Sequence, residues 1–406
     1  MTNRGGGAAV GLCALAAGGA LALTACQTES HSPSCDFQQQ VAQTGTPLTL
    51  LSGARLDRVG GGFMLMGYDG GGQVRWAPVS AAGQLGTAQS FAVPAQATAG
   101  PWFAVAGNAA AGDTILVVSG VAAAATGMVD LVVSAVPANS SGAVSPAGTA
   151  VTLPDPSASG GAAVMMTSGR LGQRAGLAWS VPGSGEISVL SLGGDGRAQG
   201  PALAAKGFGM SPLISCLAPV EGKQDLAVGF LSRASEDDRN PRWSIIEVRD
   251  GGTLDASFFF SLGTERPTCP FSAASGGGYV SVWQNELGSL IGVYDGTSQN
   301  FDSRLFAGAV TFGGADAQPP LAGVGPVAGG DFAVVLARPG AAEAWRVTAD
   351  GKTATDSVIM PSRVGQMGAI STVSVSGALY ATYADYSSAA AVGKDGERFF
   401  VKIACF

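Results

Sequence analysis

The residues most able to do chemistry in this chain are carboxylates, arginines and tyrosines. The sharpest cluster is SRASEDDRNPR, residues 232–242, where Glu236, Asp237 and Asp238 stand between Arg233 and Arg239. Three neighbouring acids suit a cation, a polar ligand or a partner surface, and the same run also reads as a solvated loop kept in water by its charges. Tyr68 with Asp69, Glu286 within QNELG, Arg338, and Asp385 with Tyr386 complete the candidate set. Paired carboxylates beside a tyrosine could act on a glycoside if their separation permits it. Other chemistries are excluded by residue type. His31 is the one histidine of 406 residues and precedes the body of the chain. The body therefore has no Ser-His-Asp triad, Cys-His pair or histidine-ligated metal. Phosphate-binding G-x-x-x-x-G-K-[ST], H-E-x-x-H and Asp-rich calcium motifs are missing as well. No cofactor or metal is expected, and a formal charge of -7 without a basic cluster argues against nucleic acid.

These side chains need a scaffold, and the composition points to strands. The chain is 46% hydrophobic and 13% charged, and its 62 glycines fall between apolar runs rather than in one block. A small-residue turn followed by a short apolar strand recurs as GGGFMLMGY, AGDTILVVS, QRAGLAWS, KQDLAVGFL, GGGYVSVW, GGDFAVVL and SGALYATY. The first large apolar residues are Phe63, Ile115, Leu177, Leu226, Tyr279, Phe332 and Leu379, which mark seven units of about fifty residues.

Each unit repeats one internal order. Before the marker strand lies another small-residue strand, such as TLLSGARL, PWFAVAG, AAVMMTS or PLISCLA. After it come a loop, a strand that often carries an aromatic (VRWAPV, RWSIIEV, SLIGVY, EAWRV, RFFVKI), a turn, and a weaker strand. Four of those turns carry Asp-Gly, at 195–196, 250–251, 295–296 and 350–351, a dipeptide suited to tight hairpins. Four-stranded antiparallel units repeated about an axis predict an all-β, seven-bladed β-propeller spanning residues 36–406. A β-sandwich would not keep one step through the chain, and a β-helix would repeat at a much shorter one. In such a ring the second-to-third strand loops share a face with the loops between blades. That geometry would gather Tyr68, Asp69, Arg233, Glu236, Asp237, Asp238, Glu286, Arg338, Asp385 and Tyr386 on one candidate binding face.

Residues 1–25 read as an export signal: Arg4 precedes an uncharged apolar run from Ala8 to Ala25. The run is also about long enough to span a bilayer as an uncleaved anchor. Its end, Leu23-Thr24-Ala25-Cys26, resembles a bacterial lipobox. That resemblance implies cleavage before Cys26, acylation of its thiol, and anchoring to the bacterial cell envelope. Gln27 stands where an Asp would retain such a protein at the inner membrane, so the outer membrane is favoured. Residues 26–35 form the acylated start and a polar tether; the eight residues after Cys26 reach at most about 29 Å.

The last unit runs out after its third strand, RFFVKIACF, and CDFQQQVAQ (35–43) precedes the first unit without a blade of its own. The second stretch is the natural missing strand of the last blade. Of six cysteines, Cys13 leaves with the signal and Cys26 is acylated, so Cys35, Cys216, Cys269 and Cys405 remain. An oxidising destination favours disulfides, and the expected pairs are Cys35–Cys405 and Cys216–Cys269. The alternative for the second pair is two separate buried thiols. The whole pattern resembles bacterial cell-envelope propeller lipoproteins, although WD40 and sialidase signatures are absent. The anchor, together with the lack of catalytic constellations, points to a membrane-tethered, non-enzymatic binding or scaffold protein whose partners are the membrane and an envelope protein or polysaccharide. A carboxylate-dependent glycan hydrolase or lyase is the alternative.

Overall fold

The computed structural model describes residues 35–405 apart from 45–51, 70, 81, 109–111, 126, 139–144, 155–164, 182–184, 206–212, 224, 236–237, 239, 250–253, 262–268, 277, 286–287, 295–301, 306–320, 339–340, 350–357, 361–365, 368–369 and 387–395. The export signal, Cys26, the tether and three of the four Asp-Gly turns thus lie outside the described residues; Asp195-Gly196 occupies a turn.

The strands follow the repeat. The N-terminal β1 (Cys35–Thr44) stands ahead of the first unit. A four-stranded sheet follows from β2 (Ser52–Val59), β3 (Gly62–Tyr68), β4 (Gln73–Val79) and β5 (Gln89–Ala92). The next is β6 (Ala97–Asn108), β7 (Gly112–Ala122), β8 (Met128–Pro137) and β9 (Ser145–Pro154). The third is β10 (Met165–Leu171), β11 (Arg174–Ser180), β12 (Ile187–Leu192) and β13 (Leu203–Ala205). An eight-stranded sheet comprises β14 (Leu213–Glu221), β15 (Ala227–Arg233), β16 (Arg242–Val248), β17 (Leu254–Ser261), β18 (Phe271–Ser275), β19 (Gly278–Asn285), β20 (Gly288–Tyr294) and β21 (Asp302–Leu305). Then come β22 (Leu321–Pro326), β23 (Phe332–Arg338), β24 (Ala341–Val347) and β25 (Val358–Met360). The last sheet holds β26 (Gln366–Met367), β27 (Ser371–Val375), β28 (Ala378–Tyr386) and β29 (Glu397–Cys405), with β1 outermost.

The protein is an all-β propeller. Its leading strands lie side by side in a closed circuit, β2, β6, β10, β14, β18, β22, β27 and back to β2. Among the described residues the connected sheets number six, not the seven units read from the repeat, because of one junction. Val220 and Glu221 of β14 pair in parallel with Ser272 and Ala273 of β18, joining two four-stranded runs into one sheet. The expected closing strand is in place: β1 pairs antiparallel with β29, and Cys35 stands opposite Cys405 in that register.

The core lies between successive sheets. The marker strands are the second strand of each run, and their alternate residues point to opposite faces. Phe63 and Leu65 of β3 pack with Tyr380 and Phe400 of the last sheet, whereas Met64 and Met66 pack with Ile115 and Val117 of the next one. Leu379, Ala381 and Tyr383 of β28 meet Val335 and Ala344 in the same way. A strand buried on both faces is apolar at every position, which is why the markers are continuous apolar runs. At the tight turn into β3, Gly60 holds φ +56°, a conformation that favours glycine.

Side chains lace the inner circuit. The Ser371 hydroxyl accepts from the Leu56 amide at 2.8 Å and joins β27 to β2. Arg55 Nη1 donates to the Phe103 carbonyl and to Ser168 Oγ, both at 2.7 Å, and joins β2 to β6 and β10. Between the two halves of the eight-stranded sheet, Cys216 and Cys269 form a disulfide with Cα atoms 5.8 Å apart, as expected from their matched repeat positions. Beside it Trp243 Nε1 donates to Ser272 Oγ at 3.1 Å, and its ring packs with Leu231 and Trp283.

The Trp243 ring also leaves no room over Gly229, where a Cβ would lie 2.2 Å from the indole. Gly229→Ala is therefore expected to destabilise the protein by about 1–3 kcal/mol, the usual cost of overpacking. Urea unfolding checks this, and an unchanged midpoint would show that Trp243 is free to shift.

Candidate functional site

The second strand of each run ends ahead of the loop that leads to its third strand. Tyr68 ends β3, Arg233 ends β15, Arg338 ends β23, and Asp385 and Tyr386 end β28. Glu236, Asp237 and Glu286 lie outside the described residues. The structure gives several of the others local duties. Asp69 Oδ1 accepts from the Gly71 and Gln73 amides at 2.8 and 3.1 Å, and its Oδ2 takes Arg75 Nε at 2.8 Å. Burial opposes the Asp69 charge, but those two amides and Arg75 outweigh it and hold the carboxyl below its ordinary range. The Tyr68 hydroxyl accepts from the Gly72 amide at 3.1 Å. Asp238 accepts from the Ala234 and Asn240 amides at 2.7 and 2.9 Å, and these bonds lower its pKa. Asp385 is buried. Tyr68, Asp69, Arg233 and Asp238 line neither of the two cavities on the ring axis.

Those cavities are where the leading strands converge. One, of about 390 Å³, takes its walls from all seven: Leu56, Trp102, Met166, Ala218, Phe271, Val324 and Ile370 give it a largely apolar surface. The register of β2 with β3, Ser52 opposite Tyr68, directs this chamber toward the end that carries the second-to-third loops. The other, of about 520 Å³, lies toward the opposite end and is charged, lined by Asp57, Arg58, Asp113, Arg170, Lys223 and Asp225 among others. The two chambers share Arg55, Ser168, Pro219 and Glu221.

Most charges here are matched within the wall. Arg55 spends Nη1 on Phe103 and Ser168, and its Nη2 lies 3.0 Å from Asp57 Oδ2. Arg170 Nη2 reaches Asp113 Oδ2 and the Arg58 carbonyl, both at 2.8 Å. Lys223 Nζ lies 2.5 Å from Glu247 Oε1 and 4.9 Å from the Tyr279 ring centre, and the Tyr279 hydroxyl donates to the same Glu247 oxygen. Burial pulls the Lys223 pKa down, but Glu247 and Tyr279 more than restore it and keep the ammonium charged. Glu221 differs. It ends β14 at the neck between the chambers, enclosed by the ring yet open to the axial cavity. Burial first, and the Asp57 charge second, push its carboxyl up to about 8 against an opposing pull from Arg55. Among the described residues no group of three His, Cys, Asp or Glu is placed to hold a metal.

Sequence reasoning missed Arg55, Asp57 and Glu221. A signal for the first two exists. Arg55 and Asp57 are two apart in a leading strand, so they share its axial face, and charge inside such a strand requires a channel or a partner. Glu221 carries no such mark, because an acid just before Gly222 reads as the solvated entry to a turn.

No protein-family model matches the sequence, and no curated protein sequence matches it. Solved structures match in fold. The BP39L lectin from Burkholderia pseudomallei aligns at 14% identity with a TM-score of 0.53, covering 83% of this chain and 93% of the lectin. The polysaccharide lyase Uly1 aligns at 11% identity with a TM-score of 0.51, covering 87% of this chain and 90% of the lyase. At these identities the likeness is one of fold.

Glu221 contributes a distinctive pH dependence. Its folded pKa of about 8 exceeds the unfolded value near 4.5, so the folded state retains a proton that the unfolded chain loses. Stability should fall as pH rises from about 4.5 to about 8 and then level. Thermal unfolding of Glu221→Gln against wild type is expected to show the variant gaining through that window, by on the order of a few kcal/mol at its upper end. Parallel curves across the window would show that Glu221 ionises freely.

Proposed function

We propose that this chain is an exported, lipid-anchored propeller of the bacterial cell envelope that binds a polysaccharide or protein partner without turning it over. The anchor is Cys26, most consistent with the outer membrane, and residues 27–34 tether the body close to the lipid surface. The body is a ring of seven blades in which the eight-stranded sheet counts as two. Support for that count comes from the packing: residues of β14–β16, such as Val220, Ala227 and Ile245, stack on Ala274 and Tyr279 of the following run as other successive sheets do. The ring is clasped by a Cys35–Cys405 disulfide, consistent with the opposed register of the two residues.

The observation that carries binding over turnover concerns the acids of the hairpin end. Asp69 and Asp238 each hold two backbone amides of their own loop and stay ionised. A general acid or base works with a pKa near the operating pH, and these carboxylates are held well away from it. They serve instead to fix charged loops in one shape, which is what a recognition surface needs. A lectin and a lyase share the fold, so the fold is compatible with either outcome.

One observation favours the second reading, a carboxylate-dependent glycan hydrolase or lyase. Asp57 beside Arg55 and the raised Glu221 are two acids whose surroundings differ, an arrangement that can divide acid and base roles.

The test uses the mature protein isolated from membranes. Its mass should show diacylglycerol and acyl chains on Cys26, and a column of the protein should retain envelope polysaccharide or a defined envelope protein while a glycan panel remains uncleaved. Turnover that disappears in Glu221→Gln or Asp57→Asn would replace binding with the enzymatic reading. An uncleaved, unmodified N-terminus would remove the envelope address.

A further inference from the structure

The axial channel stands apart from Asp69 and Asp238 of the hairpin loops, which line neither of its chambers. Its apolar chamber, about 390 Å³, is within the size range of small-molecule sites and is walled by Trp102, Phe103, Met166, Phe271 and Ile370. The hydroxyls that face it are largely spent within the wall. Ser168 donates to the Phe103 carbonyl, Ser272 binds Trp243 and Ser281, and Thr372 reaches the Val324 carbonyl. A ligand in this chamber therefore meets aromatic and aliphatic surface until it reaches the neck.

At the neck stand one cation and two acids, Arg55, Asp57 and Glu221. Arg55 is occupied by Phe103, Ser168 and Asp57, and its charge is met by Asp57. Glu221 is left over, with no hydrogen bond or ion pair to its carboxyl among the described residues. Other charges near it are already matched or stand farther along the charged chamber: Arg170 with Asp113 from β10 and β7, and Lys223 with Glu247, with Arg58 and Asp225 toward the opening. The lining residues from β6, β18, β22 and β27 are uncharged. An ionised Glu221 would leave the neck one negative charge in excess, inside a low-dielectric wall and close to Asp57. An incoming cation would cancel that excess and relieve the repulsion between the two acids. Trp102, Phe103 and Phe271 line the adjoining chamber, and aromatic rings attract cations.

We infer that the channel binds an organic ammonium ion, with its apolar body in the Trp102–Phe271 chamber and its ammonium group on Glu221. Glu221 is neutral in the empty channel at neutral pH, so binding transfers its proton to solvent. The ammonium arrives charged and leaves charged; the only bond broken is the carboxyl O–H, and buffer takes the proton.

Three probes with one body and different heads decide the matter: phenethylammonium, 2-phenylethanol and phenylacetate, titrated calorimetrically into the full folded protein at pH 6.5. Phenethylammonium is expected to bind best, to release close to one proton in buffers of differing ionisation heat, and to tighten as pH rises toward 8. Glu221→Gln should weaken it roughly 10- to 100-fold, abolish the proton release and flatten the pH dependence. Melting of Glu221→Gln at or above the wild-type temperature would establish that the loss is not unfolding. Equal binding of 2-phenylethanol would reduce the site to an apolar chamber and overturn the assignment. Preference for phenylacetate would place the anchor on Arg55 and overturn it as well, and so would an absence of binding by all three.

Discussion

Everything in this molecule depends on closing a ring. Each sheet has two apolar faces, and a face is buried only if another sheet lies against it. In an open array the first and last sheets would each present a bare face, with Phe63 and Leu65 on one side and Tyr380 and Phe400 on the other. Pairing β1 with β29 prevents this by drawing the start of the chain onto the sheet built from its end. The penalty is a contact across nearly the whole sequence, whose loop entropy must be offset by the pairing and packing it secures.

Closure also creates the chemistry. Seven leading strands converge on one axis, and their inward residues cannot all be apolar without leaving amides and hydroxyls unmatched. The wall solves this with lateral bonds: Arg55 spans three strands, and Ser371 and Thr372 tie β27 to its neighbours. Where the walls come together, charge is held in a medium that solvates it poorly, so pairs such as Arg55–Asp57 and Arg170–Asp113 offset each other's charge. Glu221 breaks that pattern: it has no partner among the described residues, and an acid so placed inside a ring costs stability that selection for folding alone would not favour.

How much of this was legible from residues depends on whether the signal is local. The marker strands were legible because burial on both faces writes itself as an unbroken apolar run, and the disulfide between Cys216 and Cys269 because both lie ten residues ahead of their markers. The closing strand was legible from a shortage, a last unit one strand short and a first stretch with no unit. The parallel pairing of β14 with β18 was not, since it depends on how two neighbouring sheets lean at the axis rather than on either strand's composition. Charge clusters such as the hairpin-end acids stand out in sequence, yet Asp69 and Asp238 act on their own loops. Glu221 is one acid before a glycine, and only the three-dimensional convergence of seven strands makes it unusual.

The most direct measurement is a peptide map of the folded protein kept unreduced from the cell onward. Opposed residues of an antiparallel pair have Cα atoms about 4.5–5.5 Å apart, within the reach of a disulfide. Two cross-links are expected, Cys35 to Cys405 and Cys216 to Cys269. Free thiols at Cys35 and Cys405, or a bond from Cys35 to either inner cysteine, would contradict a ring clasped by its two ends.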